Sequence, residues 1–552
     1  MLAIATLGKE RLSAGMNWKQ YLEGRYLALT LSAAGCLLCI PGFWIVSNHP
    51  RWVMLLLLIC IGLVVTGIHD LRQERHAILR NYPVIGHLRF FFEKIRPEMR
   101  QYFFEGDTDG MPFPRERRAI VYQRAKNDLD KKPFGTQGNV YAEGHEWMLH
   151  SITPKPLAKE LFRLTIGGPH CSKPYDASIL NISAMSYGAL SANAIRALNL
   201  GAKRGNFAHD TGEGSVSPYH REAGGDLIWE IGSGYFGCRN EDGTFSAEKF
   251  AAAATDPQIK MIEIKISQGA KPGHGGVLPA AKVSAEIAAI RGVAMGKDCV
   301  SPASHSAFST PKELIHFVER LRELSGGKPT GFKLCIGHPH EFLGIVKAML
   351  ELGVTPDFIV VDGKEGGTGA APAEFIDNIG MPLRDGLAFV HSSLTGAGLR
   401  GQIKLGCAGK IITGFDMARA FALGADWCNV ARGFMFAVGC IQAQTCHTGN
   451  CPTGVTTQDA SRQRALFVPS KAERVTNFHR ETIKSLAEML AAAGMTSPKD
   501  LMPHHIVRRI GDGRILTLSE QFTFLENGAF IVGSAPAAMA NIWDRARSDS
   551  FG

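Results

Sequence analysis

The feature that most constrains the fold is a recurring alternation of short apolar runs and helical patterns after residue 150. Each run ends in glycine or a small polar residue. Continuous apolar strands that alternate with helices are typical of a parallel sheet covered on both faces. Over about 360 residues, this alternation favours a (β/α)8 TIM barrel over an open doubly wound sheet. The predicted strands cover residues 179–184, 261–267, 331–336, 358–361, 403–407 and 427–431.

Two strongly apolar runs, residues 26–47 and 52–68, precede this region and are separated by four residues. They predict a membrane hairpin, although the second run is short against the roughly 20 residues that a spanning helix needs. A buried core helix and a cleaved signal peptide are the alternatives, but no small-residue cleavage site separates the runs. Basic residues flank the hairpin, whereas the turn carries only Arg51, so the positive-inside rule predicts a cytoplasmic-membrane protein whose large C-terminal domain faces the cytoplasm.

These patterns divide the chain into five predicted segments. They are a cytoplasmic N-terminal segment (1–25), the transmembrane helical hairpin (26–69), an ordered linker (70–150), the barrel domain (151–515) and a C-terminal tail (516–552).

Composition limits the class of partner. The chain has 552 residues, of which 45% are hydrophobic and 20% charged, as in a globular protein. The net charge of +9 is scattered and forms no run of five like charges, so nucleic-acid binding is not expected. Twelve cysteines are too few for a secreted disulfide scaffold, and the cysteine-bearing domain is therefore expected in a reducing compartment.

Three cysteines lie close together in the run Cys440-Ile-Gln-Ala-Gln-Thr-Cys446-His-Thr-Gly-Asn-Cys451-Pro. Thiolates are the preferred protein ligands of iron–sulfur clusters, and ferredoxin runs likewise space cysteines a few residues apart and end in Cys-Pro. Either the cluster is the three-iron type, or a fourth ligand such as Cys407 or Cys428 comes from elsewhere. Zinc and inert buried thiols are the alternatives. The spacing favours an iron–sulfur cluster and so predicts electron transfer.

Glycine-rich segments follow three of the predicted strands. Residues 406–414 and 431–433 follow the last two, where TIM barrels frequently hold a phosphate group on backbone N–H groups. Residues 362–369 follow the strand 358–361 and allow close approach of a ligand to the backbone. Ordinary turns explain one such segment, but three at corresponding positions indicate a binding site at the carboxyl ends of the strands.

A set of polar side chains that suits an anionic substrate surrounds residues 273–276. Its members are Lys265, Gln268, Lys271 and Arg291. Arginine offers a planar fork that matches a carboxylate and lysine offers a point charge, so the set predicts a dicarboxylate, with solvated surface lysines as the alternative. Lys333 lies within an apolar strand and is expected to have an anionic partner, for which a reduced flavin is one candidate. Glu213 is framed by glycines and is either a turn residue or a site acid.

These motifs resemble the FMN-binding synthase domain of glutamate synthase over residues 133–509. The resemblance is carried by Asn181-Ile-Ser-Ala-Met-Ser-Tyr-Gly-Ala-Leu-Ser191, Thr211-Gly-Glu-Gly214, Gln268-Gly-Ala-Lys-Pro-Gly273, Gly366-Gly-Thr-Gly369 and the three cysteines. In that family the domain is an FMN-binding (β/α)8 barrel in which the matching cysteines hold a [3Fe-4S] cluster. Electrons pass from the cluster to FMN, and reduced flavin delivers hydride to 2-iminoglutarate, formed from 2-oxoglutarate and ammonia, to give L-glutamate.

The resemblance implies a role for each matching residue. Cys440, Cys446 and Cys451 would bind the [3Fe-4S] cluster. Substrate carboxylates would be held by Lys271 and Arg291, with Gln268 beside them. The expected catalytic residues are Glu213, Lys271 and Lys333, and both Gln268 and Lys333 would lie at the flavin. The remaining expected FMN contacts are Ser183, Ala184, Met185, Ser186, Gly367, Thr368, Gly369, Gly406, Gly409 and Gly433.

The resemblance also indicates partners, as in the membrane-tethered glutamate-synthase-like proteins of bacteria. The large glutamate synthases begin with a glutaminase domain where this chain has its hairpin, so ammonia is expected to be free or to come from another subunit. The electron donor is expected to be ferredoxin, a reductase subunit or a membrane-bound donor, and a homo-oligomer is left open. His274 stands where the family more often has a carboxylate, so another amine or oxo acid is one alternative. A membrane electron-transfer or sensor subunit without synthase turnover is the other.

Overall fold

Eight parallel strands close into a barrel in the computed structural model of this protein. They are β1 (Leu180–Ile182), β2 (His209–Asp210), β3 (Leu227–Ile231), β4 (Ile259–Lys265), β5 (Thr330–Leu334), β6 (Phe358–Asp362), β7 (Lys404–Ala408) and β8 (Trp427–Val430). Each strand pairs in parallel with its neighbours in the chain, and β8 closes on β1 through Cys428 and Leu180. The predicted TIM barrel is confirmed.

The structure describes residues 23–45, 50–73, 76–106, 109–158 and 162–552. The chain divides into two compact units, and the second, from Asp107 to Gly552, contains the barrel. The predicted N-terminal segment 1–25 lies almost wholly outside the described residues, as do Asn48 and His49 of the predicted hairpin turn.

All six predicted strands are present, but the sequence reasoning missed β2 and β3. The strand β2 consists only of His209 and Asp210, which is too short for an apolar run to be visible. Glu230 interrupts the apolar pattern of β3. Asp210 and Glu230 are buried inside the barrel near Lys333. A partly polar interior therefore hides two strands from a search for continuous apolar residues.

Helices cover the outside of the barrel, and several begin at strong sequence caps. Thr310 and Thr413 each form a capping box with the acid three residues later. Gly292 and Gly353 end two helices in the left-handed conformation. The α-helices of this unit are Arg115–Lys126, Ala192–Gly205, Pro218–Arg221, Ala247–Ala254, Ala285–Arg291, Pro311–Leu324, Pro339–Leu352, Ala373–Asn378, Leu383–Gly396, Gly414–Ala422, Arg432–Val438, Ala460–Gln463, Val468–Ala492, Leu518–Gln521 and Ala537–Arg545.

Small antiparallel sheets lie outside the barrel, and one of them includes residues beyond the predicted borders at 150 and 515. One joins Glu146–Met148, Ile506–Arg509 and Ile515–Thr517 in antiparallel order. The other two pair Arg163–Ile166 with Tyr175–Ser178 and Val277–Leu278 with Cys299–Val300. Upstream, helix Arg115–Lys126 packs on Val468–Ala492. Downstream, the C-terminal helix Ala537–Arg545 packs on Pro339–Leu352. The later part of the predicted linker and the predicted tail thus pack on the barrel unit.

The described residues of the first unit are mainly helical. Leu27–Ile45 has 19 residues and Pro50–Arg72 has 23, and both are long and apolar enough to cross a membrane. The second helix is longer than the apolar run that predicted it, because it includes polar residues at both ends. The two helices pack closely, since a Cβ at Gly35 would lie 2.7 Å from Cys60 Sγ. Two further α-helices, Ala77–Asn81 and Gly86–Met99, and the π-helix Arg100–Phe104 follow.

The pairing of β5 with β6 gives a stability prediction. A Cβ at Gly331 would lie 2.1 Å from the backbone oxygen of Phe358, so Gly331→Ala is expected to force the strands apart and destabilise the unit by about 3 kcal/mol. Gly401→Ala is the matched control, because a Cβ there meets nothing within 4 Å. Thermal unfolding followed by circular dichroism should show a lower midpoint for Gly331→Ala alone. Equal midpoints would contradict the close packing.

Candidate functional site

A cleft opens at the carboxyl ends of the barrel strands, where TIM barrels carry their active sites. Most of the sequence-predicted site residues meet there. The predicted residues that line it are Ser183, Ala184, Met185, Ser186, Glu213, Gln268, Lys271, Arg291, Lys333, Gly367, Thr368, Gly369, Gly409 and Cys446. Segments more than 260 residues apart in the chain are therefore brought into one cavity by barrel closure.

Glu213 is an ionised carboxylate at the centre of the cationic side of the cleft. Lys265 Nζ lies 3.2 Å from Glu213 Oε2, and Ser301 Oγ donates to the same oxygen at 3.4 Å. Burial alone would raise the pKa of Glu213, but Lys265, Arg291 and Lys271 together lower it below its ordinary value. A Cβ at Gly276 would lie only 1.7 Å from Glu213 Oε1, so a glycine is needed there to make room for this carboxylate.

Lys271 and Arg291 are buried cations with hydrogen-bonding capacity to spare. The Lys271 ammonium has no hydrogen-bond partner within the described ranges, and the whole residue is only 2% exposed. Arg291 donates from Nη2 to Ser186 Oγ at 3.2 Å and to Tyr187 O at 3.0 Å. Its Nε is buried without a partner in the same part of the chain. Burial and the nearby Lys265 lower the pKa of Lys271 below its ordinary value, although Glu213 opposes the shift. Two incompletely paired cations in one cleft suit an anionic ligand.

Lys333 lies at the base of the cleft inside a set of acidic side chains. Its Nζ contacts Glu230 and lies 2.9 Å from Glu263 Oε1. Burial alone would lower the pKa of Lys333, but Glu230, Glu263, Asp210 and Asp362 raise it well above its ordinary value. The expected anionic partner of this buried lysine is thus a group of protein carboxylates, and Lys333 is protonated in the absence of substrate.

The loops after β6, β7 and β8 meet at another wall of the cleft. Arg432 donates from Nη2 to Thr368 O at 2.9 Å, which fastens the glycine-rich loop after β6 to the helix after β8. Lys410 follows Gly409 and lines the cleft with it. Burial lowers the pKa of Lys410, although the nearby Glu365 opposes the shift. This wall combines glycine-rich backbone with two cations, Lys410 and Arg432.

Two glycines of the predicted FMN set do not line the cleft. A Cβ at Gly406 would lie 2.4 Å from the Trp427 ring, and one at Gly433 would lie 2.7 Å from Val430 Cγ1 and 3.0 Å from the Phe478 ring. Both glycines are therefore needed for close packing of β7 on β8 and of the following helix on Val468–Ala492. Gly409, which was also predicted, does line the cavity, and so does Arg432, the neighbour of Gly433. His274 also does not line the cleft. Its side chain is exposed, and its ring centroid lies 5.6 Å from that of Phe375.

The three cysteines of the predicted cluster lie on the loop that follows helix Arg432–Val438. All twelve cysteines of the chain are free thiols. Burial, opposed by a hydrogen bond from Gln442, raises the pKa of Cys440 to about 11. Burial would also raise the pKa of Cys451, but hydrogen bonds from Thr456 and Thr453 lower it below its ordinary value. Cys446 lines the cleft itself, so this loop reaches the same cavity as the cationic side chains of Lys271 and Arg291.

Sequence reasoning missed two features at this loop. Lys282 is buried and donates from Nζ to Ala189 O at 2.9 Å and to Cys446 O at 3.4 Å. Burial lowers its pKa to about 8, against the opposing effect of Cys446 and Cys451. Phe113, from the segment predicted as a linker, also lines the cleft. Its backbone N–H donates to Gln442 Oε1 at 3.2 Å, and its backbone oxygen accepts from Gln442 Nε2 at 3.2 Å. No sequence motif marks either residue, because both are placed by long-range contacts.

Comparison with known proteins identifies the family. The conserved region in glutamate synthase matches residues 172–496. The glutamate synthase large subunit-like protein YerD of Bacillus subtilis (strain 168) is 39% identical over 492 residues, which cover 82% of this chain and 93% of that protein. The archaeal-type glutamate synthase [NADPH] of Dehalococcoides mccartyi is 34% identical over 331 residues, covering 60% of this chain and 63% of the relative. The chain therefore belongs to the glutamate synthase family defined by this conserved region.

Two further comparisons are more distant. The glutamate synthase [NADPH] large chain of Azospirillum brasilense is 32% identical over 58% of this chain, which corresponds to only 20% of that much longer protein. A solved structure of a mutant flavocytochrome b2 with pyruvate bound is 12% identical, with a TM-score of 0.37 over 81% of this chain and 91% of that one. Structural similarity at this level is no guide to what the cleft binds.

The cysteine loop gives a prediction about iron. If the cysteines hold the predicted cluster, Cys446→Ala is expected to lower the iron and acid-labile sulfide of the purified protein more than tenfold. The FMN expected from the family resemblance should be retained, because the other predicted FMN contacts are unchanged. Cys171→Ala is the control, since that half-buried cysteine lies outside both the run and the cleft. Iron and flavin are measured on the same anaerobic preparation. Full iron content in Cys446→Ala would rule out the cysteine as a ligand.

Proposed function

We propose that this protein is an oxidoreductase that makes L-glutamate from 2-oxoglutarate and ammonia, using FMN and a [3Fe-4S] cluster. The observation that carries the proposal is the pair of buried, incompletely paired cations, Lys271 and Arg291, beside the ionised Glu213. Family membership supports it, because relatives of 34% to 39% identity bear the names glutamate synthase or glutamate synthase large subunit-like protein.

The residues of the cleft fit FMN. Its walls carry little side-chain bulk at Ser183, Ala184, Gly367 and Gly409, which leaves room for a flat ring system. Lys410 and Arg432 supply two cations at the loops after β7 and β8, which suits a phosphate group. Gln268 and Lys333 would face the ring system as hydrogen-bond donors.

The donor set of the cysteine loop fits an iron–sulfur cluster. Cys440, Cys446 and Cys451 are free thiols, and Cys451 already has a lowered pKa. Thiolates in this number suit a three-iron cluster. The electron donor would be ferredoxin, a reductase subunit or a membrane-bound donor.

Bound FMN would supply hydride to 2-iminoglutarate, and the cluster would supply the electrons that regenerate reduced flavin. The protein itself would bind and orient the substrate. Lys271 and Arg291 would each hold one carboxylate. Glu213, which stays ionised, would accept a hydrogen bond from the imine N–H and so fix the face that is reduced. Glycine at 276 leaves the space that this carboxylate occupies.

We also propose that the first unit anchors the protein in the cytoplasmic membrane, with the barrel in the cytoplasm. The side chains of its two long helices are largely exposed, including Trp44 at 86% and Trp52 at 70%, as expected of residues at a lipid interface. Helix Gly86–Met99 presents exposed Phe91 and Phe92 together with basic residues, which suits the membrane surface.

The function is tested by reducing the full-length protein anaerobically in detergent and following flavin reoxidation on addition of 2-oxoglutarate and ammonium, with glutamate measured in the same sample. Reoxidation with an equal yield of glutamate is expected. Lys271→Gln should raise the KM for 2-oxoglutarate about 100-fold, because the charged contact between Lys271 and a substrate carboxylate, worth about 2–3 kcal/mol, is lost. The exposed Lys499→Gln is the matched control.

Different outcomes separate the alternatives. Reoxidation by another oxo acid or by methylamine, without glutamate, would indicate a relative with a different amine or oxo-acid substrate. No reoxidation, with flavin and iron both present, would contradict synthase turnover and favour an electron-transfer or sensor subunit.

The membrane anchor is tested by fractionation. The full chain is expected to remain in the membrane pellet after washing with alkaline carbonate, because two apolar helices are held by the hydrocarbon core. A variant that begins at Asp107 should appear in the supernatant. Release of the full chain by the wash would contradict a spanning hairpin and indicate peripheral binding.

A further inference from the structure

Four acidic side chains surround one lysine inside the barrel. Asp210 lies on β2, Glu230 on β3, Glu263 on β4 and Asp362 on β6, and all face Lys333 on β5. Carboxylate oxygens of Asp210, Glu230 and Glu263 lie within 4.8 Å of one another, and these three residues are at most 2% exposed. We refer to Asp210, Glu230, Glu263, Asp362 and Lys333 as the acidic core.

The charges of the acidic core do not balance if every group is ionised. Four carboxylates would face a single ammonium group, and the other nearby cation, Lys265, is already engaged by Glu213 at 3.2 Å. Buried like charges at such separations cannot all be ionised, so the core must hold at least one proton at neutral pH. In agreement, burial together with neighbouring carboxylates raises the pKa of Asp210 well above its ordinary value and that of Glu263 to about 7.

Unpaired oxygens indicate where this proton lies. Asp210 Oδ2 and both carboxylate oxygens of Glu263 are buried, and none of the three forms a hydrogen bond in the described part of the chain. Lys333 Nζ lies 2.9 Å from Glu263 Oε1 as an ion pair, which leaves Oε2 facing no cation. Two carboxylates cannot hydrogen-bond to each other, but one carboxyl group and one carboxylate can, by sharing a proton. A single shared proton would therefore satisfy the hydrogen-bonding needs of both residues.

We propose that Asp210 and Glu263 store a proton below the cleft and deliver it through Lys333 and Glu230 to the reacting groups. Lys333 and Glu230 line the cleft, whereas Asp210 and Glu263 lie behind them. Lys333 Nζ contacts Glu230 on one side and lies 2.9 Å from Glu263 Oε1 on the other. The lysine therefore connects the stored proton to the cavity, and Asp210 and Glu263 act through it.

The need for such a store rests on the proposed function. Conversion of the imine group C=NH to the amine group CH–NH2 consumes two electrons and two protons. A thiolate-bound iron–sulfur cluster passes single electrons and carries no proton with them, so protons must reach the cleft separately. One would leave the Lys333 ammonium for the cleft and be replaced by the proton shared between Asp210 and Glu263. The second would come from solvent, which also refills the store.

Infrared spectroscopy tests the store without substrate. Reduced-minus-oxidised difference spectra are recorded on the full-length, flavin-loaded protein in detergent, in ordinary water and in heavy water. The expected signal is the carbonyl stretch of a protonated carboxyl group that changes on reduction and shifts in heavy water. Glu263→Gln and Asp210→Asn should each abolish it while preserving the packing, because an amide donates the hydrogen bond in place of the shared proton.

Asp416→Asn is the matched control. Asp416 is equally buried, but Arg117 and Arg419 outweigh the effect of burial and lower its pKa, so it stores no proton. The carboxyl signal should therefore persist in this variant. Absence of any carboxyl signal in the unmodified protein, or its persistence in both Glu263→Gln and Asp210→Asn, would overturn the proposal. Because no oxo acid is added, this outcome is independent of whether the protein makes glutamate.

Thermal stability supplies a second readout. A glutamate pKa of about 4.3 in the unfolded chain and about 7 in the folded protein means that ionisation of Glu263 opposes folding. The free-energy cost of ionising Glu263 in the folded protein is absent below about pH 4.3 and reaches its full size above about pH 7. The unfolding temperature of Glu263→Gln should therefore rise relative to the unmodified protein as pH increases through this window. A pH-independent difference would show that Glu263 is not protonated in the folded state and would overturn the proposal.

Discussion

The pairing of Lys333 with carboxylates inside the barrel is the interaction on which the rest of the structure depends. Glu230 on β3 and Glu263 on β4 pair with it, and the charges of Asp210 on β2 and Asp362 on β6 act on it from further away, so one ammonium group is attracted by carboxylates on four other strands. Removal of one partner from a buried ion pair typically costs about 3–5 kcal/mol, because the other charge is left without compensation. The same arrangement fixes the floor of the cleft, since Lys333 and Glu230 are also part of its lining.

Above this floor the cleft is built from loops that are short of side-chain bulk. A Cβ at Gly269 would lie 1.9 Å from the backbone oxygen of Gly363, so the loops after β4 and β6 touch backbone to backbone. Gly269 N also donates to Asp362 Oδ2 at 2.9 Å, which ties the loop to the acidic core. The loop that carries Lys271 is therefore held from below by the barrel interior and from the side by the loop after β6, whereas Arg291 is held by Ser186 and Tyr187 after β1.

The sequence predicted the barrel and most of the cleft because both depend on local patterns. Apolar strands are visible as runs, and the motifs around Glu213, Lys271 and Cys446 are contiguous. What it could not predict depends on contacts between distant segments. Lys282 is unremarkable until the fold brings it to Cys446 O, and Gly406 looks like a ligand loop until Trp427 is seen against it. The strands β2 and β3 were missed for the related reason that Asp210 and Glu230 are tolerated inside the barrel only because Lys333 lies between them.

The placement of charge also separates two kinds of transfer. The cysteines that suit an electron carrier lie on the loop after helix Arg432–Val438, and Cys446 of this loop lines the cleft. The groups that can hold a proton lie on β2 to β6, beneath the cleft. Electrons can cross a gap between groups that do not touch, but a proton needs a continuous chain of donors and acceptors. Lys333 Nζ donates a hydrogen bond to Glu230 and lies 2.9 Å from Glu263 Oε1, so donors and acceptors stand close enough for the proposed transfer, while no comparable contact is required of the cysteine loop. Substrate held between the rim and the floor would thus receive electrons and protons from different parts of the barrel.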